Sequence, residues 1–345
     1  MATNQFGQIK APAGRGARTG LMFSVGIICV LLALALSLVY GTKNLTLATV
    51  WEALFHYEAG NTTHQIVGEI RLPRALAAIL IGAYFAISGA IMQAMTRNPL
   101  AEPSLLGVSY GAAFALVITM TLFPSVSALG ATAASMIGAG LAAFFVFTIT
   151  SVSKGGITPV KLALAGVAIG MFLSSLTSVV ALHFNVSKEM SFWYAGGLAN
   201  TDWKAVRMLA AAGAIGIPLA LLLARSLTLF NLGVEVTKGL GIHVMLVKIL
   251  GVFAVLLLTG SSVAVAGAVG FVGLVVPHIS RMLVGPDYRF LLPVSAVLGS
   301  FLLVLADVGA RMISPPYETP VGVVTAAMGV PFFLYLVRRE GGRFS

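Results

Sequence analysis

GFVGLVVPHISRMLVGPDYR, residues 270–289, lies between two long apolar runs and reads as a helix too short to cross a membrane. Pro277 is placed for the first helical turn, where a missing N–H costs nothing. Gly285 is placed just past the last turn, and Pro286 blocks continuation. The pattern predicts a short capped helix lying at a membrane surface, with basic Arg281 and Arg289 at its end. Such a helix is a candidate lever for a soluble partner.

Working outward, 58% of the 345 residues are hydrophobic and 9% are charged, against about 25% charged in average soluble domains. The chain therefore reads as an all-α integral membrane protein. A barrel would instead show about ten-residue alternating segments. Its length accommodates roughly ten spans of about 20 residues each. The predicted spans are 21–40, 72–95, 104–123, 128–150, 160–184, 204–224, 245–262, 264–273, 290–311 and 319–337. The eighth is short and Gly-rich, which predicts irregular backbone buried among its neighbours. The expected organisation is a polar tail at 1–20, one membrane domain at 21–338 and a short tail at 339–345. The first apolar run is long enough to span and is longer than the core of a cleaved signal peptide.

Net charge is +10, but the basic residues are scattered between apolar segments, which excludes a nucleic-acid face. Predicted inner segments carry Lys10, Arg15, Arg18, Arg97, Lys154, Arg225, Lys238, Arg281, Arg289, Arg338, Arg339 and Arg343. Predicted outer segments carry Lys43, Arg71, Arg74, Lys188, Lys204, Arg207 and Arg311. That bias places both termini in the cytoplasm. Cys29 stands alone, the five histidines lack zinc-ligand spacing, and no Walker-type phosphate loop occurs. No catalytic, metal or cofactor site is expected on this chain.

Several short motifs carry two readings each. RLPR at 71–74 puts Arg71 and Arg74 at an outer helix end, either snorkelling to headgroups or forming a basic patch for carboxylates of an extracytoplasmic partner. Asp307 and Arg311 are four apart and share a helix face, so an intramembrane pair is expected; a proton relay would need further acids. RNPLAEP at 97–103 predicts a rigid inner turn that also braces the surface helix. Small-residue stripes at Gly166, Gly170, Ser174 and Ser178, and at Gly322, Thr325 and Gly329, serve helix packing or line a wide path. Trp193, Tyr194 and Trp203 bracket an outer loop and read as an interfacial belt, with a gate as the sharper reading.

Four segments together resemble one family. They are RLPRALAAILIGAYFAISGAIMQAMTRNPLAEPSLLGVSYGA at 71–112, FWYAGGLANTDW at 192–203, AVAGAVGFVGLVVPHISRMLVG at 264–285 and LADVGARMISPPYETPVGVVTAAMGVPFFLYL at 305–336. The chain is similar to FecCD-type permeases of ATP-binding-cassette importers for iron-siderophores, haem and cobalamin. The resemblance implies the large, ten-helix importer permease fold, paired with a second permease subunit of the same or a related kind. It also implies a cytoplasmic ATPase dimer that binds ATP and Mg, a substrate-binding protein on the outer side, and a ferric siderophore as transported solute. Haem or cobalamin is the alternative solute.

By position, residues 273–285, with Pro277, His278, Ser280, Arg281 and Gly285, resemble the ATPase-coupling segment. Arg71, Arg74 and Arg311 resemble the arginines that meet the binding protein, and the fifth span resembles the pathway wall. Two departures stand out: Leu232-Gly233-Val234-Glu235 displaces a carboxylate of the family's Leu-Gly-Glu by one position, and Thr319 replaces a common apolar residue. An ion-driven secondary transporter would need a relay of acids that the chain lacks, and a structural scaffold would need neither cavity nor ATPase.

Overall fold

The computed structural model describes residues 15–41, 44–153, 158–315 and 317–341. Most of the predicted amino-terminal tail, the end of the carboxyl-terminal one, Lys43 and Lys154 lie outside the described residues. In order, the helices are α1 (Arg15–Val39), α2 (Leu47–Phe55), α3 (Thr62–Gln65), α4 (Leu72–Thr96), α5 (Val108–Leu122), α6 (Ala128–Val152) and α7 (Pro159–His183). There follow α8 (Ser187–Ala195), α9 (Trp203–Phe230), α10 (Val234–Gly239), α11 (Val244–Ala266), α12 (Val272–Val284), α13 (Tyr288–Ile313) and α14 (Val321–Gly341). A π-helical turn, Ile66–Arg71, leads into α4. Among the described residues, 7 helices are long and apolar enough to cross a membrane, and three shorter apolar ones, in α5, α12 and α14, complete the bundle.

The sequence dictates the centre of this bundle. In α4, Pro73 occupies the first turn and small or aliphatic residues fill the rest. The helix stops at Arg97, whose φ of 51° turns the chain out ahead of Pro99. Nearly all of α4 is buried, packed on α9, α11, α12 and α13. Close approach is bought by missing side chains: Gly82 lies on Gly299 of α13, Gly111 of α5 on Gly138 of α6, and Gly89 on Gly273 of α12. Without a hydrophobic drive between helices in lipid, such backbone contact is what dispersion can use.

The stretch at 270–289 departs from its sequence reading. The predicted eighth span at 264–273 is irregular at its centre, as its glycines suggest: α11 ends at Ala266, Gly267 leaves it at φ 68°, and irregular chain runs to Phe271 at φ 68°. The apolar helix at this place in the chain is α12, which starts only at Val272. Pro277 therefore sits inside the helix and not in its first turn. Its missing N–H leaves the Gly273 carbonyl without a helical donor, and that carbonyl faces the bare Gly89. The sequence pattern pointed to a surface helix because Pro277 was read as a start. In fact Leu274, Val275, Val276, Pro277, Ser280 and Val284 are buried among neighbouring helices. The end was read correctly, for Gly285 terminates α12 at φ 84°.

The bundle has two ends. The Arg74 end gathers the last turns of α1, α11 and α13, the first turns of α4, α9 and α14, and the short α8. The Arg281 end gathers the last turns of α4, α9 and α12, the first turn of α13, and α10.

Candidate functional site: two differently charged ends

At the Arg74 end the three arginines singled out from sequence come together, but not as an exposed patch. Arg71 and Arg74 are each 5% exposed and Arg311 is 4% exposed. Arg74 Nε and Nη2 donate to Asp307 Oδ1 at 3.0 and 2.9 Å, and its Nη1 donates to both Glu318 oxygens at 2.8 Å. Arg311 Nη2 pairs with Asp307 Oδ2 at 3.2 Å, so the expected Asp307–Arg311 pair is part of a larger cluster. Arg71 Nη1 donates to the carbonyls of Leu38 and Val39 at 2.6 and 2.9 Å. Arg311 Nη1 donates to those of Ser37 and Tyr40 at 3.2 and 3.3 Å. These are the carbonyls at the end of α1 that no helical N–H can reach, and a cation suits the negative pole of that helix. An unpaired guanidinium buried here would be costly, so each of the three is turned to internal acceptors.

Beside this cluster lies a cavity of about 570 Å3, lined by Arg74 and Glu318 with Glu189, Trp193, Asn200 and Thr319. Trp203 Nε1 donates to the carbonyl of Gly68, within the π-helical turn, at 2.9 Å. Glu318 is the residue that the motif search left without a role. Its signal was an acid at a span boundary on the same predicted side as Arg74.

At the Arg281 end, a cavity of about 330 Å3 is lined by Gln93, Arg97, Pro99, Asn231, Arg281 and Tyr288. Arg281 Nη2 donates to Gln93 Oε1 at 3.0 Å, while Gln93 Nε2 donates to the Leu274 carbonyl at 3.2 Å. Of the other residues predicted for coupling, Pro277 and Ser280 are buried, whereas His278 and Gly285 are partly exposed; the His278 ring meets Phe332 of α14 at 6.0 Å. At this end α10 and its flanks expose apolar surface, with Leu232, Val236 and Leu240 at 62%, 49% and 60%, and so does Met282 of α12 at 65%. Asp287 caps α13, accepting from the Arg289 N–H at 3.0 Å, and its carboxyl is held below the ordinary aspartate value chiefly by the Arg289 side chain.

The turn at 97–103 is bonded to the chain at the start of α12 and borders the cavity at its other end. Arg97 and Pro99 share the cavity with Arg281, while Glu102 Oε1 accepts from the Phe271 N–H at 3.3 Å, where α12 begins. The fifth-span stripe divides. Gly166 and Gly170 are buried, Gly170 against the Tyr110 ring, whereas Ser174 is partly exposed and Ser178 exposed. The exposed side of α7, where Ser178 also lies, presents Leu164, Met171, Phe172 and Leu182, each at least 65% exposed.

A bundle of apolar helices with one crossing interrupted by irregular, buried backbone defines a membrane-embedded permease. The FecCD transport family model matches residues 29–339, and the chain belongs to that family. It is 50% identical over 320 residues to the iron(3+)-hydroxamate import system permease protein FhuB of Bacillus subtilis (strain 168), covering 93% of this chain and 83% of that protein. It is 44% identical over 324 residues to the iron-uptake system permease protein FeuB of the same organism, covering 94% and 97%. Among solved structures, an inward-facing ABC transporter described as of metal-chelate type superposes with a TM-score of 0.81 at 27% identity, covering 93% of this chain and 99% of that one. The protein is thus a multi-pass permease of the bacterial membrane, of a family of transport subunits.

Proposed function

We propose that this chain moves ferric siderophores of the hydroxamate type through the bacterial cytoplasmic membrane, by alternating access driven by a separate ATPase pair. The observation that carries the reading is the half-identity, over nearly its whole length, to a permease of iron-hydroxamate import. The basic bias of the Arg281 end supports placing it in the cytoplasm with both termini. The ATPases, which bind ATP and Mg, then meet that end, and this chain binds no cofactor.

The exposed α10, together with Arg281 and the chain around Gly285, offers the contact surface; the buried Pro277 and Ser280 hold α12 in place behind it. A substrate-binding protein docks on the Arg74 end, above Arg71, Arg74 and Arg311. A second permease, of the same or a related kind, covers the apolar face of α7, and the solute path runs between the two with Ser174 and Ser178 on its wall. Such coupling requires contacts that differ between the two states, which an interrupted helix in the core can supply.

Uptake in a strain deleted for this permease tests the solute. Radiolabelled ferric hydroxamate uptake should vanish on deletion and return with the gene, with haem and cobalamin uptake unaffected. Loss of haem or cobalamin uptake instead would overturn the hydroxamate assignment.

A further inference from the structure

The Arg74 guanidinium has two counter-ions in unequal positions. Asp307 belongs to α13, has no exposed side-chain surface, and is shared with Arg311 at 3.2 Å. Glu318 belongs to the connection between α13 and α14, its side chain is 35% exposed, and it holds Arg74 through Nη1 alone. Tyr317 beside it is 77% exposed. The cavity of about 570 Å3 borders both Arg74 and Glu318, so there is room for the carboxylate to swing aside.

We propose that Glu318 is an exchangeable stand-in for a carboxylate of the docking protein. It occupies the Nη1 edge of Arg74 in the undocked permease and is displaced by an acidic side chain of that protein. This rests on the reading that the Arg74 end receives the binding protein. A buried arginine cannot meet a partner while its solvent-side edge is closed. Stripping Glu318 away without replacement would leave a desolvated cation underpaired. Exchange of one carboxylate for another keeps the charge of the cluster constant and preserves the two-oxygen contact. Asp307 stays in place throughout, so Arg74 does not move.

The displaced residue has somewhere to send the signal. Thr319 N donates to the Ala310 carbonyl at 3.3 Å, and Gly322 N to the Gly196 carbonyl at 3.3 Å. The connection freed by exchange is therefore the joint between α13, the entrance of α14 and the end of α8. In turn, α14 packs on α12. Docking at one end thereby loosens the helix that runs alongside the interrupted crossing.

The test uses the assembled importer in lipid nanodiscs and the binding protein isolated with it. Glu318→Gln removes the competing charge and should tighten docking roughly three- to tenfold. Glu318→Asp keeps the charge but shortens its reach, and should fall between wild type and Glu318→Gln. In the free importer, phenylglyoxal should modify Arg74 faster in Glu318→Gln than in wild type, with Arg311 still protected. That pattern separates an opened edge from general loosening. Arg74→Gln should weaken docking. If it does so while both Glu318 variants dock like wild type or more weakly, exchange is overturned and the docking reading stands. If Arg74→Gln docks normally, both are overturned.

Discussion

The two ends of the bundle carry the same kinds of charged side chain under opposite conditions. At the Arg74 end, three arginines and Asp307 are almost wholly buried and share partners from α1, α4, α13 and the connection to α14. At the Arg281 end, the Arg289 side chain is 53% exposed and pairs with a neighbour two residues away, and the Lys238–Glu235 pair is 58% and 89% exposed. The first arrangement joins elements more than 200 residues apart in the chain, as in the 233-residue separation of Arg74 and Asp307. The second joins residues only two or three apart in the chain. One end is thus fastened by its charges, and the other leaves them available for contact. Buried pairs are costly to break because the surviving partner stays desolvated, whereas exposed pairs lose little to water.

The comparison can be broken most directly at Asp307. Asp307→Asn leaves Arg74 and Arg311 without their shared counter-charge and should destabilise the permease by about 3–5 kcal/mol. Thermal unfolding in detergent would read this, and a wild-type melting curve would show that the cluster is not what fastens this end.

An intermediate effect is expected at Arg281. Arg281→Glu reverses a cavity-lining charge and should uncouple uptake from ATP hydrolysis while the melting temperature stays near wild type. Normal uptake at normal assembly would remove Arg281 from the coupling surface.

The smallest effect is expected at Asp287. Its value in the folded chain lies below its ordinary one, so its contribution is present above the ordinary aspartate range and is lost as pH falls through the lowered value. Asp287→Asn should be slightly less stable than wild type at about pH 7, and the two should converge only as pH falls below the lowered value. A constant difference across that range would assign the loss to geometry instead of charge.

Much of this architecture was legible in the chain. Long apolar runs and their lengths predicted an all-helical bundle of long apolar helices in this order, because each apolar run is a local property of about 20 residues. Gly285 as a helix end and the pairing of Asp307 with Arg311 were equally local. The reading failed where two local signals competed. Pro277 looked like a helix start, but the bundle tolerates it mid-helix because Gly89 leaves space for the freed Gly273 carbonyl. Likewise the RLPR arginines looked exposed because charges at span ends usually are. Their burial depends on carbonyls of α1 and on Glu318, more than 200 residues beyond Arg74 in one case.

The sequence by itself determined that this is a helical membrane permease of the FecCD kind, since apolar length, charge bias and ordered motifs are written along the chain. Only the tertiary structure decided which charges face inward and that Pro277 sits inside a buried helix. Those outcomes depend on partners brought together from distant helices, and the energy of a buried charge is set by its neighbours and not by its position in the chain.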